Sequence, residues 1–78
     1  MAKTDDIKEH MEVLGADGKH VGTVDRIEGA DTLKLAKGDP QSGGQHHLIP
    51  MSFVDHVDAD VHLNKPAREV LLTWRATA

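Results

Sequence analysis

The sequence predicts a mainly β protein: a small β-barrel of about six short strands, followed by one C-terminal α-helix. Two observations support this fold class. Apolar and polar residues alternate in short segments, and turns rich in glycine and aspartate separate these segments. Near the C-terminus the apolar spacing changes to that of a helix. A barrel is expected because closure removes the exposed edges that short strands would otherwise leave.

The first part of the domain predicts two strands joined by a tight turn. Alternation over residues 11–13 indicates the first strand, and the glycines and aspartate of residues 15–18 indicate the turn. A second strand is expected over residues 20–28, which are rich in β-branched side chains. Its apolar residues are spaced by three, so we expect a β-bulge at Gly22 to restore the alternation.

The middle of the chain predicts four more extended segments. Residues 32–37 alternate as a half-buried strand, and residues 37–44 form a loop rich in glycine. A short strand is expected over residues 45–50, where a proline ends it or places it at an edge. Residues 53–57 and 61–63 predict two further short strands across a turn.

The C-terminal segment predicts a helix over residues 66–75. Pro66 suits its first turn, and one stripe of apolar side chains follows helical spacing: Ala67, Val70, Leu71 and Trp74. We expect residues 1–8 to be a flexible N-terminus, because they are polar, and residues 9–78 to form one domain.

The apolar residues that recur on one face of each of these segments predict the hydrophobic core. The expected members are the inward-facing side chains of the strands: Met11, Val13, Val21, Val24, Ile27, Leu33, Leu35, Leu48, Ile49, Phe53, Val57, Val61 and Leu63.

The composition and net charge of the chain exclude several classes of function. The chain has no cysteine, so thiolate sites and disulfides are excluded and a cytoplasmic location is expected. It has no stretch apolar enough for membrane insertion. A net charge of −4 argues against binding to nucleic acid. The sequence shows no nucleophile motif and a barrel of this size leaves little cavity, so no enzyme activity is predicted.

Two segments carry a resemblance to known families. Residues 13–24 (VLGADGKHVGTV) and the later Ile49-Pro50 step resemble PRC-barrel domains, and residues 43–50 (GGQHHLIP) resemble the uncharacterised bacterial DUF2171 family within them. This resemblance implies a small β-barrel. It also implies a role in protein docking without catalysis, as in the relatives from the photosynthetic reaction centre and from ribosome maturation.

Six histidines in so short a chain suggest a second possibility. If the chain reverses at Ala59, His56 and His62 lie opposite each other with Asp58 and Asp60 nearby. Imidazole and carboxylate groups are acceptable ligands for Zn²⁺ or a similar divalent ion. The alternative is a solvated hairpin face whose valines and leucine point inward. No other cofactor is predicted.

The segment that is most peculiar to this chain is the first candidate for a partner-binding surface: Gly43, Gly44, Gln45, His46 and His47, together with Trp74. The adjacent histidines point to opposite faces of a strand, so one of them could instead be a structural, hydrogen-bonded side chain. Trp74 could equally pack against the barrel. We therefore expect an adaptor or self-assembling protein that binds a protein partner or a second copy. The alternative is a histidine-based protein that responds to metal or pH.

Overall fold

A computed structural model describes residues 6–29 and 31–77. Over these residues it shows seven strands and one α-helix, with short 3₁₀ turns at Pro40–Ser42 and Met51–Phe53. The elements in chain order are β1 (Glu12–Leu14), β2 (His20–Glu28), β3 (Thr32–Leu35), β4 (His46–Pro50), β5 (Val54–Val57), β6 (Val61–Leu63), α1 (Ala67–Thr73) and β7 (Arg75–Thr77). The prediction of a mainly β protein with a C-terminal helix is confirmed.

The strands form one sheet in the order β5-β6-β1-β2-β3-β4-β7. β1 and β6 are parallel, and the other neighbouring strands are antiparallel. In the described part of the chain β5 and β7 lie at opposite ends of this order and do not pair, so the predicted closure into a barrel is wrong. The physical reason is β7, an unpredicted strand that occupies the free edge of β4.

Strand β2 has the bounds that the sequence predicts, and it connects the two halves of the sheet. Its first residues pair with β1, and its later residues pair with β3. The register shifts at two places, and at each the extra residue belongs to β2: Val21 opposite β1 and Asp25 opposite β3. These irregularities let Val21 and Val24 both face the core despite their spacing of three. The expected bulge is therefore present at Val21, next to Gly22, and a second bulge lies at Asp25.

The core lies against the inner face of the sheet. Eight of the thirteen predicted core residues are buried. The other five, which are Met11, Ile27, Leu48, Phe53 and Val57, are partly exposed. Val54, Ala67, Val70 and Ile7 are also buried. Ile7 belongs to the segment predicted to be flexible, of which residues 1–5 lie outside the described residues.

Helix α1 is shorter than the predicted span of residues 66–75. Ala67 and Val70 are buried, and Leu71 packs at the edge of the core, as the apolar stripe predicts. The helix ends before Trp74, after which the backbone becomes extended and enters β7. No helix in the described ranges is long and apolar enough to cross a membrane.

The turn between β1 and β2 packs directly on the start of α1. The Ala16 N–H donates to the Lys65 carbonyl at 2.8 Å, and the Ala67 N–H donates to Asp17 Oδ1 at 3.2 Å. That second hydrogen bond lowers the pKa of Asp17. Gly15 is buried between these contacts, and a Cβ atom there would overlap the Ala67 backbone. The absence of a side chain at Gly15 thus allows the close approach of turn and helix.

We expect Gly15→Ala to destabilise the protein by about 1–3 kcal/mol, because the added methyl group must displace the helix backbone. Gly38→Ala is the matched control, since a Cβ atom there meets nothing within 4 Å. Urea denaturation of both variants measures the difference. Equal stability of the two variants would contradict the close packing at Gly15.

We expect Ile49→Ala to cost about 2–5 kcal/mol, because Ile49 is fully buried and its truncation leaves a cavity. Leu72→Ala serves as the control, since Leu72 is 76% exposed and its loss should change stability by less than about 0.5 kcal/mol. The measurement is again urea denaturation. If both substitutions lowered the free energy of unfolding by the same small amount, the burial of Ile49 in the core would be ruled out.

Candidate functional site

The β5–β6 hairpin brings two histidines together. His56 and His62 are opposite each other in the antiparallel register, and their rings stack with centroids 4.3 Å apart and planes 7° apart. The chain reverses tightly between them, because the Asp58 N–H donates to the Asp60 carbonyl at 2.9 Å. We call this segment, residues 54–63, the histidine hairpin.

Carboxylates surround the two rings. Asp58 Oδ1 and His62 Nε2 are 2.9 Å apart, and Asp55 Oδ2 and His56 Nδ1 are 2.7 Å apart. The Asp60 N–H also donates to Asp58, and this hydrogen bond, with the neighbouring imidazoles, lowers the pKa of Asp58. Asp58 is therefore an anion at neutral pH.

Three of the four predicted metal ligands converge. One possible ligand atom from each of His56, Asp58 and His62 lies within 4.8 Å of the others. Asp60 is not part of this group and contributes its backbone to the turn. Asp55, which sequence analysis did not select, orients His56 instead. A groove of about 350 Å³ runs beside the rings, and its other wall is the β1–β2 turn with Asn64.

The predicted partner-binding segment divides between surface and core. Gly43, Gly44 and Gln45 are exposed in the turn before β4. His46 is half-buried, and its Nδ1 lies 3.0 Å from the Leu35 carbonyl, so that it has the structural role that the sequence left open.

His47 is buried beneath Trp74. Their rings stack with centroids 3.7 Å apart and planes 14° apart. Among the described residues no group pairs with His47 Nδ1. Burial lowers the pKa of His47, and a hydrogen bond with the Gln45 backbone opposes this only in part. His47 is therefore enclosed beneath Trp74, whose own side chain remains partly exposed.

The outer face of the sheet carries a row of cations that sequence analysis missed. Arg26 pairs with Lys34, Lys34 with Leu48, and Leu48 with Arg75 in successive antiparallel registers. Residues that are directly opposite share one face of a sheet. With strands about 4.8 Å apart, the row extends over about 14 Å. We call these four residues the cationic row. The register that aligns them depends on β7 and on the bulge in β2, so alternation alone could not reveal it.

The cationic row borders a second groove, of about 250 Å³, lined by Thr32, Leu48, Ile49, Pro50 and Arg75. Arg26 is paired with Glu28 at 2.6 Å, and both side chains remain largely exposed. Leu48 is only partly buried and lies between Lys34 and Arg75. This face thus combines positive charge with a small apolar centre.

A hydrogen-bonded network ties β1 and β2 to the loop after β3. Asp39 is 9% exposed and accepts hydrogen bonds from Thr23 Oγ1 at 2.7 Å and from the Gln41 N–H at 2.9 Å. His20 joins it through Nε2, 2.7 Å from Asp39, while its Nδ1 lies 2.9 Å from Glu12. The sequence predicts only a strand at His20 and a loop at Asp39, because nothing in their spacing shows that the two side chains meet.

This network shifts the pKa values of His20 and Asp39. Partial burial opposes charge on His20, but Glu12 and Asp39 outweigh it and raise the pKa of His20. Burial likewise opposes charge on Asp39, and the hydrogen bonds from Thr23, Gln41 and His20 together lower its pKa.

The shifts of His20 and His47 predict opposite effects of pH on stability. The His20 contribution is complete below about pH 6.5 and is lost as pH rises through its raised pKa in the folded protein. The His47 contribution is complete above about pH 6.5 and is lost as pH falls through its lowered pKa. Stability should therefore be greatest near about pH 6.5, and decline further in acid when Asp39 is protonated.

We expect His20→Gln to reduce the decline above about pH 6.5, and His47→Phe to reduce the decline just below it. Thermal unfolding followed by circular dichroism from pH 4 to 9 measures both slopes, with the exposed His10→Asn as control. If both variants keep the pH profile of the original protein, these titrations do not govern its stability.

Comparison with known proteins identifies one family. Residues 7–71 match a family described as an uncharacterised protein conserved in bacteria, DUF2171. A comparison with curated proteins gave no match. The family match covers far more than half of the 78 residues. The chain therefore belongs to the bacterial DUF2171 family.

Proposed function

We propose that this protein is a non-enzymatic module that binds another protein, and that the cationic row is its contact surface. The single observation that carries the proposal is the alignment of three cations on one face of an acidic chain. The bacterial family and the absence of cysteine support action in the bacterial cytoplasm. The resemblance of residues 13–24 and of the Ile49-Pro50 step to PRC-barrel domains supports membership of that docking superfamily.

The charge arrangement is unfavourable for the isolated fold. Arg26 and Lys34 are directly opposite on neighbouring strands, where like charges destabilise a sheet. The ion pair between Arg26 and Glu28 offsets only part of this, because both groups are exposed to solvent. A partner that supplies carboxylates would relieve the repulsion, so the row favours association with an acidic surface.

Leu48 gives this surface an apolar centre. It is half-buried in the middle of the row and lines the groove with Pro50 and Arg75. An interface typically has an apolar core within a polar rim. The occupant that fits is an acidic protein segment with an apolar side chain among its carboxylates. Leu48 belongs to strand β4. The exposed turn of Gly43, Gly44 and Gln45 comes directly before this strand and extends the proposed contact surface.

A second copy of the chain is a possible form of the same partner. The histidine hairpin bears Asp55, Asp58 and Asp60, whose charge complements that of the cationic row. These two surfaces lie at different ends of the sheet order, so such contacts would join copies head to tail. Light scattering of the purified protein separates this outcome from binding to a different protein.

We expect the double variant Lys34→Glu/Arg75→Glu to lose its protein partner. The immobilised protein is incubated with a nuclease-treated bacterial lysate at low salt, and captured proteins are identified by mass spectrometry. The control is Lys8→Glu/Arg68→Glu, which makes the same change in net charge at exposed positions outside the row. Direct titration with the identified protein should show at least tenfold weaker binding for the first variant alone.

Two results would contradict this proposal. One is the same level of capture by both double variants: an equal loss would show that net charge decides binding, and equal retention would show that the cationic row does not. The other is a captured partner whose affinity does not depend on salt, because contacts between exposed charges weaken as salt screens them.

A further inference from the structure

We propose that His56, Asp58 and His62 bind one divalent transition-metal ion, Zn²⁺ or an ion of similar chemistry. The site belongs to the histidine hairpin, at the opposite end of the sheet order from strand β7 of the cationic row. It is independent of the proposed docking function, since the two surfaces share no residue.

The donors already converge to nearly the required distances. Two ligands of one zinc ion, each about 2.0–2.2 Å from the metal, lie about 3–4 Å apart. The three candidate atoms lie within 4.8 Å of one another, and His62 Nε2 is already 2.9 Å from Asp58 Oδ1. His56 and Asp58 are exposed and His62 is half-exposed, so side-chain rotation can close the remaining gap without a change in the hairpin backbone.

Asp55 orients the His56 ring for metal binding. Its carboxylate accepts a hydrogen bond from the His56 Nδ1–H at 2.7 Å, which leaves the lone pair on Nε2. Within the described residues no hydrogen bond to His56 Nε2 is present. A carboxylate that holds the distal nitrogen of a metal-binding histidine is a recurrent outer contact in zinc sites, because it fixes the ring and raises its basicity.

The alternative is a solvated hairpin whose polar groups only bond to one another. The antiparallel register brings the two imidazoles face to face, and the hydrogen bonds engage one nitrogen of each ring beside an anionic carboxylate. A single metal ion accounts for all three groups, because rotation of the side chains turns one nitrogen of each imidazole toward it.

The donor set selects the class of ion. Two imidazole nitrogens and one carboxylate oxygen suit Zn²⁺, Ni²⁺ or Cu²⁺, whereas Mg²⁺ and Ca²⁺ prefer all-oxygen sites. Three protein ligands leave one position of a tetrahedral ion for water or another donor. The groove of about 350 Å³ beside the rings provides space at that position.

Isothermal titration with ZnCl₂, in a non-coordinating buffer at pH 7.5 after chelator treatment, tests the site. We expect one ion per chain with a dissociation constant in the micromolar range or tighter, and little heat with MgCl₂. His56→Ala and His62→Ala should each weaken binding at least tenfold, and Asp55→Ala about tenfold or more through loss of orientation. His10→Asn, an exposed histidine outside the hairpin, should bind as the original protein does.

Circular dichroism melting in the presence of a chelator controls for folding, because each variant should unfold near the temperature of the original protein. In the original protein Zn²⁺ should raise that temperature by several degrees, and this rise should be absent from the two histidine variants. The variant Lys34→Glu/Arg75→Glu should retain full affinity for Zn²⁺, so that failure of the docking proposal leaves this one intact. The proposal would be overturned if the original protein did not bind Zn²⁺, or if His56→Ala and His62→Ala bound it as tightly as the original protein does.

Discussion

Strand β2 pairs with different neighbours along its two halves, and the rest of the sheet is arranged around that division. Its N-terminal half pairs with β1, which leads through β6 to the histidine hairpin. Its C-terminal half pairs with β3, which leads through β4 to β7 and the cationic row. Because the register shifts within β2, both halves can direct apolar side chains into one core.

The hydrogen bonds of Asp39 fix this strand in place. A buried carboxylate is costly unless it is fully paired, and Thr23, the Gln41 N–H and His20 all donate to it. His20 and Thr23 belong to β2, so the loop after β3 is held against the strand that also carries the bulge. The first half of β2 thus combines a network that responds to pH with the buried side chains of Val21 and Val24.

Alternation and turn chemistry were sufficient to predict most of the secondary structure. The bounds of β2 and β6 follow from β-branched residues and flanking turns, and the apolar stripe of α1 places Ala67 and Val70 in the core. Barrel closure was wrong because β7 contains only Arg75, Ala76 and Thr77, whose composition carries no strand signal. It forms because the backbone after Trp74 can pair with β4.

The candidate surfaces were predictable to different degrees. His56 and His62 meet because a tight hairpin makes their opposition a local property of the sequence. The cationic row depends on the register of four strands, and the pairing of His20 with Asp39 joins residues far apart in the chain, so neither follows from local pattern. The stacking of His47 on Trp74 likewise required the tertiary fold.

The two surfaces are connected through β2, and the central claim is that they act as separate sites. The most direct test is a titration of the ¹⁵N-labelled protein with ZnCl₂, followed by two-dimensional NMR. We expect shifts at residues 55–63 and at the groove glycines Gly15 and Gly18, with none along the cationic row. Shifts that extend over the cationic row, or no shift at the histidine hairpin, would contradict this account.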